Sequence, residues 1–306
     1  MIAAALFAAY AAAAGMLAPA MLRGPWAARS PRLAMTLWRV LPVSWVAAIV
    51  LAILAATAPL PLTWQASPRA DGRVLLAGQA VSGGRAIAVA GLLVAAAVVL
   101  RAAGCAACEL HRGKRDRREH AALVAATGRP GDEPDTVIVD HDAPAIYCLP
   151  RGRRQIVISA GALAALTPGQ LRAVLAHERA HLRRRHHVTL ALAASLARAF
   201  PRVPLLSQAR PQLAVLAEMA ADDAATRRHH RSDLAAALVV LATARSRSAT
   251  LAASGPEAMV RLQRILAPQQ PRTGLARLAA IAGLIPPVVI ACLPLLLAAC
   301  DMSGHP

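Results

Sequence analysis

The sequence predicts a mostly helical integral membrane protein, in which about four transmembrane helices surround a cytosolic domain of helices and strands. Hydrophobic residues make up 57% of the 306 residues, and the mean hydropathy is +0.47. Both values are high for a soluble domain. Several long stretches also lack any charged side chain, whereas the central part of the chain is rich in charges and prolines. The uncharged stretches therefore predict membrane spans around one globular domain.

The uncharged stretches predict spans at about 2–22, 40–63 and 278–300. Each reaches the roughly 20 residues that a helix needs to cross the hydrocarbon core. No basic segment precedes the first stretch, which favours a retained helix over a cleaved signal peptide.

A fourth span is predicted at 86–108. The uncharged stretch between Arg85 and Arg101 is short for a span. The span can extend to residue 108 if one of these arginines reaches the membrane interface with its long side chain. The loop 23–39 carries four arginines and no acid, and the segment after the fourth span is also basic. Basic loops remain in the cytoplasm. The sequence therefore predicts a multi-pass plasma-membrane protein with residues 109–272 in the cytoplasm and both termini outside.

The formal net charge of +18 raises the alternative of a nucleic-acid partner. Much of the excess, however, flanks the predicted spans, where it contributes to membrane topology and to attraction for anionic lipid. The sequence therefore predicts the lipid bilayer as a partner and no direct contact with nucleic acid.

The chain divides into a membrane region at 1–108, a globular domain at 109–272, and a last transmembrane helix with a short tail at 273–306. Within the domain, short runs rich in β-branched residues predict strands or a hairpin. These runs are 135–140, 144–150 and 153–159.

Helices follow the strands. Thr167 and Gln170 form the pattern of a capping box, with a proline at the first helical position, and predict the start of a helix that ends at Pro201 or Pro204 at the latest. Further helices are predicted to begin near Pro211 and near Ser232, and a short amphipathic segment covers 257–267.

The first of these helices contains the motif HExxH. His177 and His181 are four residues apart, so on a helix they share one face, about 6 Å apart along the axis. Two imidazoles at that spacing can bind one tetrahedral zinc ion. Glu178 can then act as a general base on a water molecule that the ion makes more acidic. The motif predicts a metal-dependent hydrolase; the alternative is a basic helix face without metal.

A third protein ligand has two candidates. His187 has the offset of the pattern HExxHxxGxxH, but Arg184 occupies the glycine position, and a continuing helix would carry His187 about 15 Å along the axis from the first histidine. Glu218 lies on the next predicted helix. His187 and its neighbour His186 are therefore expected on a basic surface, and Glu218 is the predicted ligand.

Asp222 follows Glu218 by one helical turn, where it can hydrogen-bond a ligand imidazole. The two carboxylates lie in an otherwise apolar helix, where they cost free energy unless they are paired or bind a cation. Asp223 points about 100° away and is expected at the surface.

These motifs resemble a known family. "HERAH" at 177–181 and "EMAAD" at 218–222, preceded by "AIYCLP" and "IVISAGALAAL" and framed by predicted spans, are similar to the BlaR/MecR-type membrane metallopeptidases. They also resemble, more distantly, the HtpX-like and CAAX-prenyl-protease gluzincins. The resemblance implies a gluzincin metallopeptidase domain with one Zn²⁺ on His177, His181 and Glu218, catalysis by Glu178, and support from Asp222.

The resemblance implies a zinc-dependent endopeptidase in regulated proteolysis of a cytosolic protein, such as a transcriptional repressor. Two alternatives stay open, namely an HtpX-like protease for quality control of membrane proteins and a membrane scaffold without catalytic activity. The strand at 144–150 is either an edge along which an extended peptide binds or a plain structural strand.

Overall fold

The computed structural model describes residues 2–58, 63–68, 74–79, 84–150, 155–248 and 255–267. The membrane region contains helices α1 (Ile2–Leu22), α2 (Pro25–Arg29), α3 (Pro31–Thr57) and α4 (Gly84–Thr127). The helices that follow are α5 (Ala160–Ala165), α6 (Pro168–Arg184), α7 (His186–Ala199), α8 (Pro204–Ala225), α9 (Arg231–Ser248) and α10 (Gly255–Leu266).

Two sheets accompany the helices. Strands β1 (Thr63–Pro68) and β2 (Val74–Gln79) form an antiparallel hairpin between α3 and α4. Strands β3 (Arg129–Pro130), β4 (Thr136–Val139), β5 (Ile146–Leu149) and β6 (Gln155–Ser159) form a sheet in the order β3-β4-β6-β5. β4 is parallel to β6, whereas β5 is antiparallel to it. β5 is therefore an edge strand of the described sheet.

Three described helices are long and apolar enough to cross a membrane, namely α1, α3 and α4. They agree with a membrane protein and overlap the predicted spans at 2–22, 40–63 and 86–108, although α3 begins at Pro31 and ends at Thr57. The span predicted at 278–300 lies outside the described residues. α4 has 44 residues, a length of about 66 Å. One continuous helix therefore extends from the apolar segment to the sheet, where Val124 packs against Leu149 and Val157.

Close packing of α3 against α4 depends on Gly91. A Cβ atom at this position would overlap the Oγ1 and Cβ atoms of Thr57. The hydroxyl of Thr57 already donates a hydrogen bond of 2.8 Å to the carbonyl of Ile53. Because the Cβ of Thr57 is fixed by its own backbone, a larger residue at 91 must push the helices apart.

We expect Gly91→Ala to lower the free energy of unfolding by about 1–3 kcal/mol, because overpacking outweighs the better helix propensity of alanine. Thermal unfolding of the purified protein in detergent measures the change. Gly104→Ala on the same helix is the matched control, since a Cβ there meets nothing within 4 Å. Equal melting temperatures for the two variants would contradict this packing.

The helices α7 and α8 form a hairpin that packs among the membrane helices. At its tip, the ring of Phe200 packs against Trp45 of α3, with centroids 5.5 Å apart. The guanidinium of Arg101 on α4 donates a hydrogen bond of 2.7 Å to the carbonyl of Ala199. Arg198 forms an ion pair of 2.7 Å with Glu109 of α4. The membrane helices and the hairpin that carries Glu218 therefore share one packed core.

The sheet formed by β3 to β6 packs against α4 on one face and against α6 on the other. Ile156 and Ile158 of β6 form a core with Val174 and Leu175 of α6. Gly161 at the start of α5 permits close approach to the segment between β4 and β5, because a Cβ there would overlap the backbone of Asp142. The predicted strands are confirmed, and β6 places α6 next to the edge strand β5.

Two helix boundaries differ from the prediction. The helix that starts at the capping box ends well before Pro201 and Pro204, which were predicted as its latest possible ends. It ends at Arg184, because Arg185 adopts a left-handed conformation with φ 50° and ψ 44°, which turns the chain into α7. The helix predicted to begin near Pro211 is α8. It begins at Pro204, and Pro211 lies inside it. Burial of Leu205 and Leu206 compensates for the hydrogen bond that an internal proline removes.

Candidate metal centre

The N-terminus of α6 is fixed by the predicted capping box. The Thr167 side chain accepts a hydrogen bond from the backbone of Gln170, and the Gln170 side chain accepts one from the backbone of Thr167. Helical spacing then places His177 and His181 on one face, with their Nε2 atoms 3.1 Å apart. The Nε2 atoms of His177 and His181 therefore lie close enough together to bind one metal ion.

Glu218 of α8 is the third residue, with His177 and His181, of a group that could hold a metal ion. Its carboxylate oxygens lie 3.5 Å from Nε2 of His177 and 3.4 Å from Nε2 of His181. One ligand atom from each of the three residues lies within 4.8 Å of the others. Two imidazole nitrogens and a carboxylate oxygen form a donor set that fits zinc and leaves a fourth position open. Among the described residues, this group contains Glu218 and not His187.

Asp222 lies behind His177. Its Oδ1 atom is 3.0 Å from Nδ1 of His177, and its side chain is only 1% exposed. Burial alone would lower the pKa of His177, but its hydrogen bonds to Asp222 and Glu218 outweigh burial and raise the pKa to about 9. The aspartate thus faces the nitrogen of His177 that points away from His181 and Glu218.

The pKa values of His181 and Glu218 are lowered, whereas the pKa of His177 is raised. Burial lowers the pKa of His181 to about 4, with a contribution from the charge of His177. Burial would raise the pKa of Glu218, but the hydrogen bond to His177 and nearby positive charges lower it to about 2. Near neutral pH, His181 is therefore a free base and Glu218 is a carboxylate, and both are in the forms that bind metal.

Glu178 is partly exposed and directly follows His177 on α6. Burial raises its pKa, and the charge of His177 opposes this change. Both the thiol and the backbone N–H of Cys148 on β5 hydrogen-bond its carboxylate. Burial and the nearby Glu178 raise the pKa of the Cys148 thiol to about 12. Glu178 therefore faces the edge strand as well as the histidines.

Arg261 of α10 also belongs to the site, although the sequence did not identify it. It donates two hydrogen bonds to Asp222, of 3.0 and 2.7 Å, and its third nitrogen lies 2.9 Å from Glu218. This guanidinium neutralises two carboxylates that α8 holds in an apolar setting. The amphipathic pattern at 257–267 predicted a helix, but it did not show which arginine would reach the site.

Asp223 differs from the prediction of a surface residue. Its side chain is 14% exposed and forms an ion pair of 2.8 Å with Arg264 of α10. Arg264 also donates a hydrogen bond of 2.9 Å to the carbonyl of Ala28 in α2. α10 therefore links α8 to α2, the segment between α1 and α3.

Comparison with known families agrees with this geometry. The family model described as peptidase family M48 matches residues 111–269, slightly more than half of the chain. The chain belongs to peptidase family M48. No curated protein and no solved structure gives a significant match. Membership of M48 makes the chain a metallopeptidase homologue and confirms the predicted membrane metallopeptidase; a closer likeness to the BlaR/MecR or to the HtpX-like type stays a prediction.

The raised pKa of His177 predicts how metal binding in this M48 homologue depends on pH. Between pH 6.5 and 9 the metal-free imidazole is protonated, and zinc must displace that proton. Affinity for zinc should therefore rise about tenfold per pH unit in this range and weaken as the pH falls. Chelator competition at several pH values measures it.

The control for this prediction is Asp222→Asn. This variant removes the carboxylate that contributes most to the raised pKa of His177, so the dependence should flatten near neutral pH. A parent protein whose zinc affinity does not change from pH 6.5 to 9 would contradict the assignment.

Proposed function

We propose that this chain is a membrane-bound zinc endopeptidase in which His177, His181 and Glu218 hold the ion and Glu178 is the catalytic base. The observation that carries the proposal is the convergence of three ligand atoms from two helices within 4.8 Å, directly beside an acid in the HExxH motif. A site that is only structural has no use for such a base and usually closes the fourth position with protein. That argument disfavours the alternative of a scaffold without activity.

A zinc ion held by His177, His181 and Glu218 would supply Lewis-acid chemistry. Glu178 takes the proton of the attacking water and returns it to the leaving amine. Burial raises the pKa of Glu178, so the group exchanges a proton more readily near neutral pH than an exposed glutamate does. Asp222 holds His177 in place, and Arg261 compensates the charge of Asp222 and Glu218.

The edge strand β5 supports an extended peptide as substrate. Its paired side faces β6, while the backbone N–H and thiol of Cys148 face Glu178. A peptide that adds to the open side of an edge strand presents its backbone in a fixed register. A scissile bond bound along β5 would therefore lie next to the catalytic base.

Several contacts support a substrate that is cleaved close to the cytoplasmic surface of the plasma membrane. The hairpin that carries Glu218 reaches Trp45 of α3 at its tip, and α4 continues from its apolar segment to the sheet. The basic residues of the loop 23–39 and of the segment after residue 108 favour the cytoplasm. The peptidase domain therefore faces the cytoplasm and lies against the bilayer.

Within this activity we place the protein in regulated proteolysis of a cytosolic protein such as a transcriptional repressor, on the basis of the likeness to BlaR/MecR-type peptidases in "HERAH" and "EMAAD". The alternative is quality control of membrane proteins, as the HtpX-like resemblance implies. Both roles use the same residues and the same ion.

Glu178→Gln should retain zinc and lower cleavage by at least about 100-fold, because the amide cannot accept the proton of water. The zinc content is measured by elemental analysis of pure protein, and cleavage by mapping new protein N-termini in cells that express each variant. Glu119→Gln is the matched control, since this exposed carboxylate contacts only Arg115 on the same helix among the contacts described. Equal cleavage by the parent and Glu178→Gln would refute the catalytic role.

The same map of new N-termini distinguishes the two roles. Fragments of one DNA-binding protein, absent with Glu178→Gln, would support regulated proteolysis of a repressor. Fragments of many membrane proteins would support quality control.

Reporters of compartment fused at positions 75 and 125 should report opposite sides of the membrane. Position 75 lies in the β1–β2 hairpin and position 125 near the end of α4, so only the apolar segment of α4 separates them. Reporters on the same side would show that α4 does not span and would refute the proposed orientation.

A further inference from the structure

His186 lies directly behind one of the ligand imidazoles. Its Nδ1 atom is 3.0 Å from Nδ1 of His181, and the two rings are almost perpendicular, with centroids 4.7 Å apart. Although the sequence predicts a basic surface at this position, the side chain of His186 is only 2% exposed. A buried histidine in contact with a ligand histidine therefore needs a different explanation.

The direction of this hydrogen bond follows from the metal site. Nε2 of His181 faces Nε2 of His177 and the carboxylate of Glu218, so it must keep its lone pair for the ion. The ring hydrogen of the neutral imidazole is then on Nδ1. Two Nδ1 atoms 3.0 Å apart form a hydrogen bond only if one donates and the other accepts. His181 therefore donates, and His186 accepts.

We propose that His186 is a positioning residue of the metal centre, which accepts the Nδ1 hydrogen of His181, while Asp222 lies 3.0 Å from the corresponding nitrogen of His177. The inference rests on the proposed function. The partner behind a metal-bound histidine is usually a carboxylate, a backbone carbonyl or water. An imidazole supplies the same lone pair without adding a negative charge next to Glu218.

The local backbone supports this role. Arg185 has a left-handed conformation with φ 50°, which is unfavourable for a residue other than glycine. It ends α6 and makes His186 the first residue of α7. Nε2 of His186 is buried without a hydrogen-bond partner in the described part of the chain. Both features cost free energy. A requirement for Nδ1 to reach His181 accounts for both.

The test compares three substitutions of His186 in the full-length protein in detergent, with Zn²⁺ as the probe and chelator competition as the measurement. His186→Leu removes the acceptor and should weaken zinc binding by about 10- to 100-fold. His186→Asn places an amide oxygen close to the position of Nδ1 and should stay within about threefold of the parent. His186→Gln, whose amide reaches the position of Nε2, should resemble His186→Leu. His230→Leu, an exposed histidine, is the control and should bind zinc as the parent does.

A zinc affinity that is retained in His186→Asn but lost in His186→Gln would show that His186 acts as a hydrogen-bond acceptor and does not only fill space. Parent-like affinity in His186→Leu, or equal losses in all three substitutions, would overturn the inference. Melting temperatures of the metal-free forms identify a loss that comes from unfolding. The zinc content of the parent tests the proposed function separately, and a parent without zinc would overturn both.

Discussion

The buried carboxylate of Asp222 is the interaction on which the site depends. It is 1% exposed, and it lies between an imidazole of α6 and the guanidinium of Arg261 on α10. A carboxylate in this setting is tolerated only because it is paired on both sides. The same pairs fix α6, α8 and α10 relative to one another. Glu218, one turn earlier on α8, is thereby held near Nε2 of both histidines.

The site is also joined to the membrane helices by direct contacts. α8 shares a core with α3, which includes Trp38, Leu205 and Leu213. Arg264 ties α10 to the carbonyl of Ala28 in the segment between α1 and α3. Movement of the membrane helices would therefore reach the helix that carries Glu218 through packed side chains and hydrogen bonds.

Much of the fold could be predicted from the sequence, and so could the choice of Glu218 and Asp222 as neighbours of the histidines, but the partners of Arg261 and Asp223 could not. The apolar stretches predicted long helices where α1, α3 and α4 lie, and the strands β4 to β6 and the start of α6 were predicted correctly. The break at Arg185 was missed because nothing in an arginine predicts a left-handed conformation, which glycine or asparagine adopts more easily. That break turns His186 inward and changes a predicted surface residue into a contact of His181.

The sequence by itself determined the features that depend on neighbours within about one helical turn or one apolar stretch. Helix geometry alone places the two histidines of HExxH on one face, and length and hydropathy alone predict the spans. Tertiary structure decided which further groups meet, since packing brings Arg261 of α10 and Cys148 of β5 to the site from separate elements. A hydrophobic pattern shows which face of a helix is buried, but it does not show which partner will lie opposite.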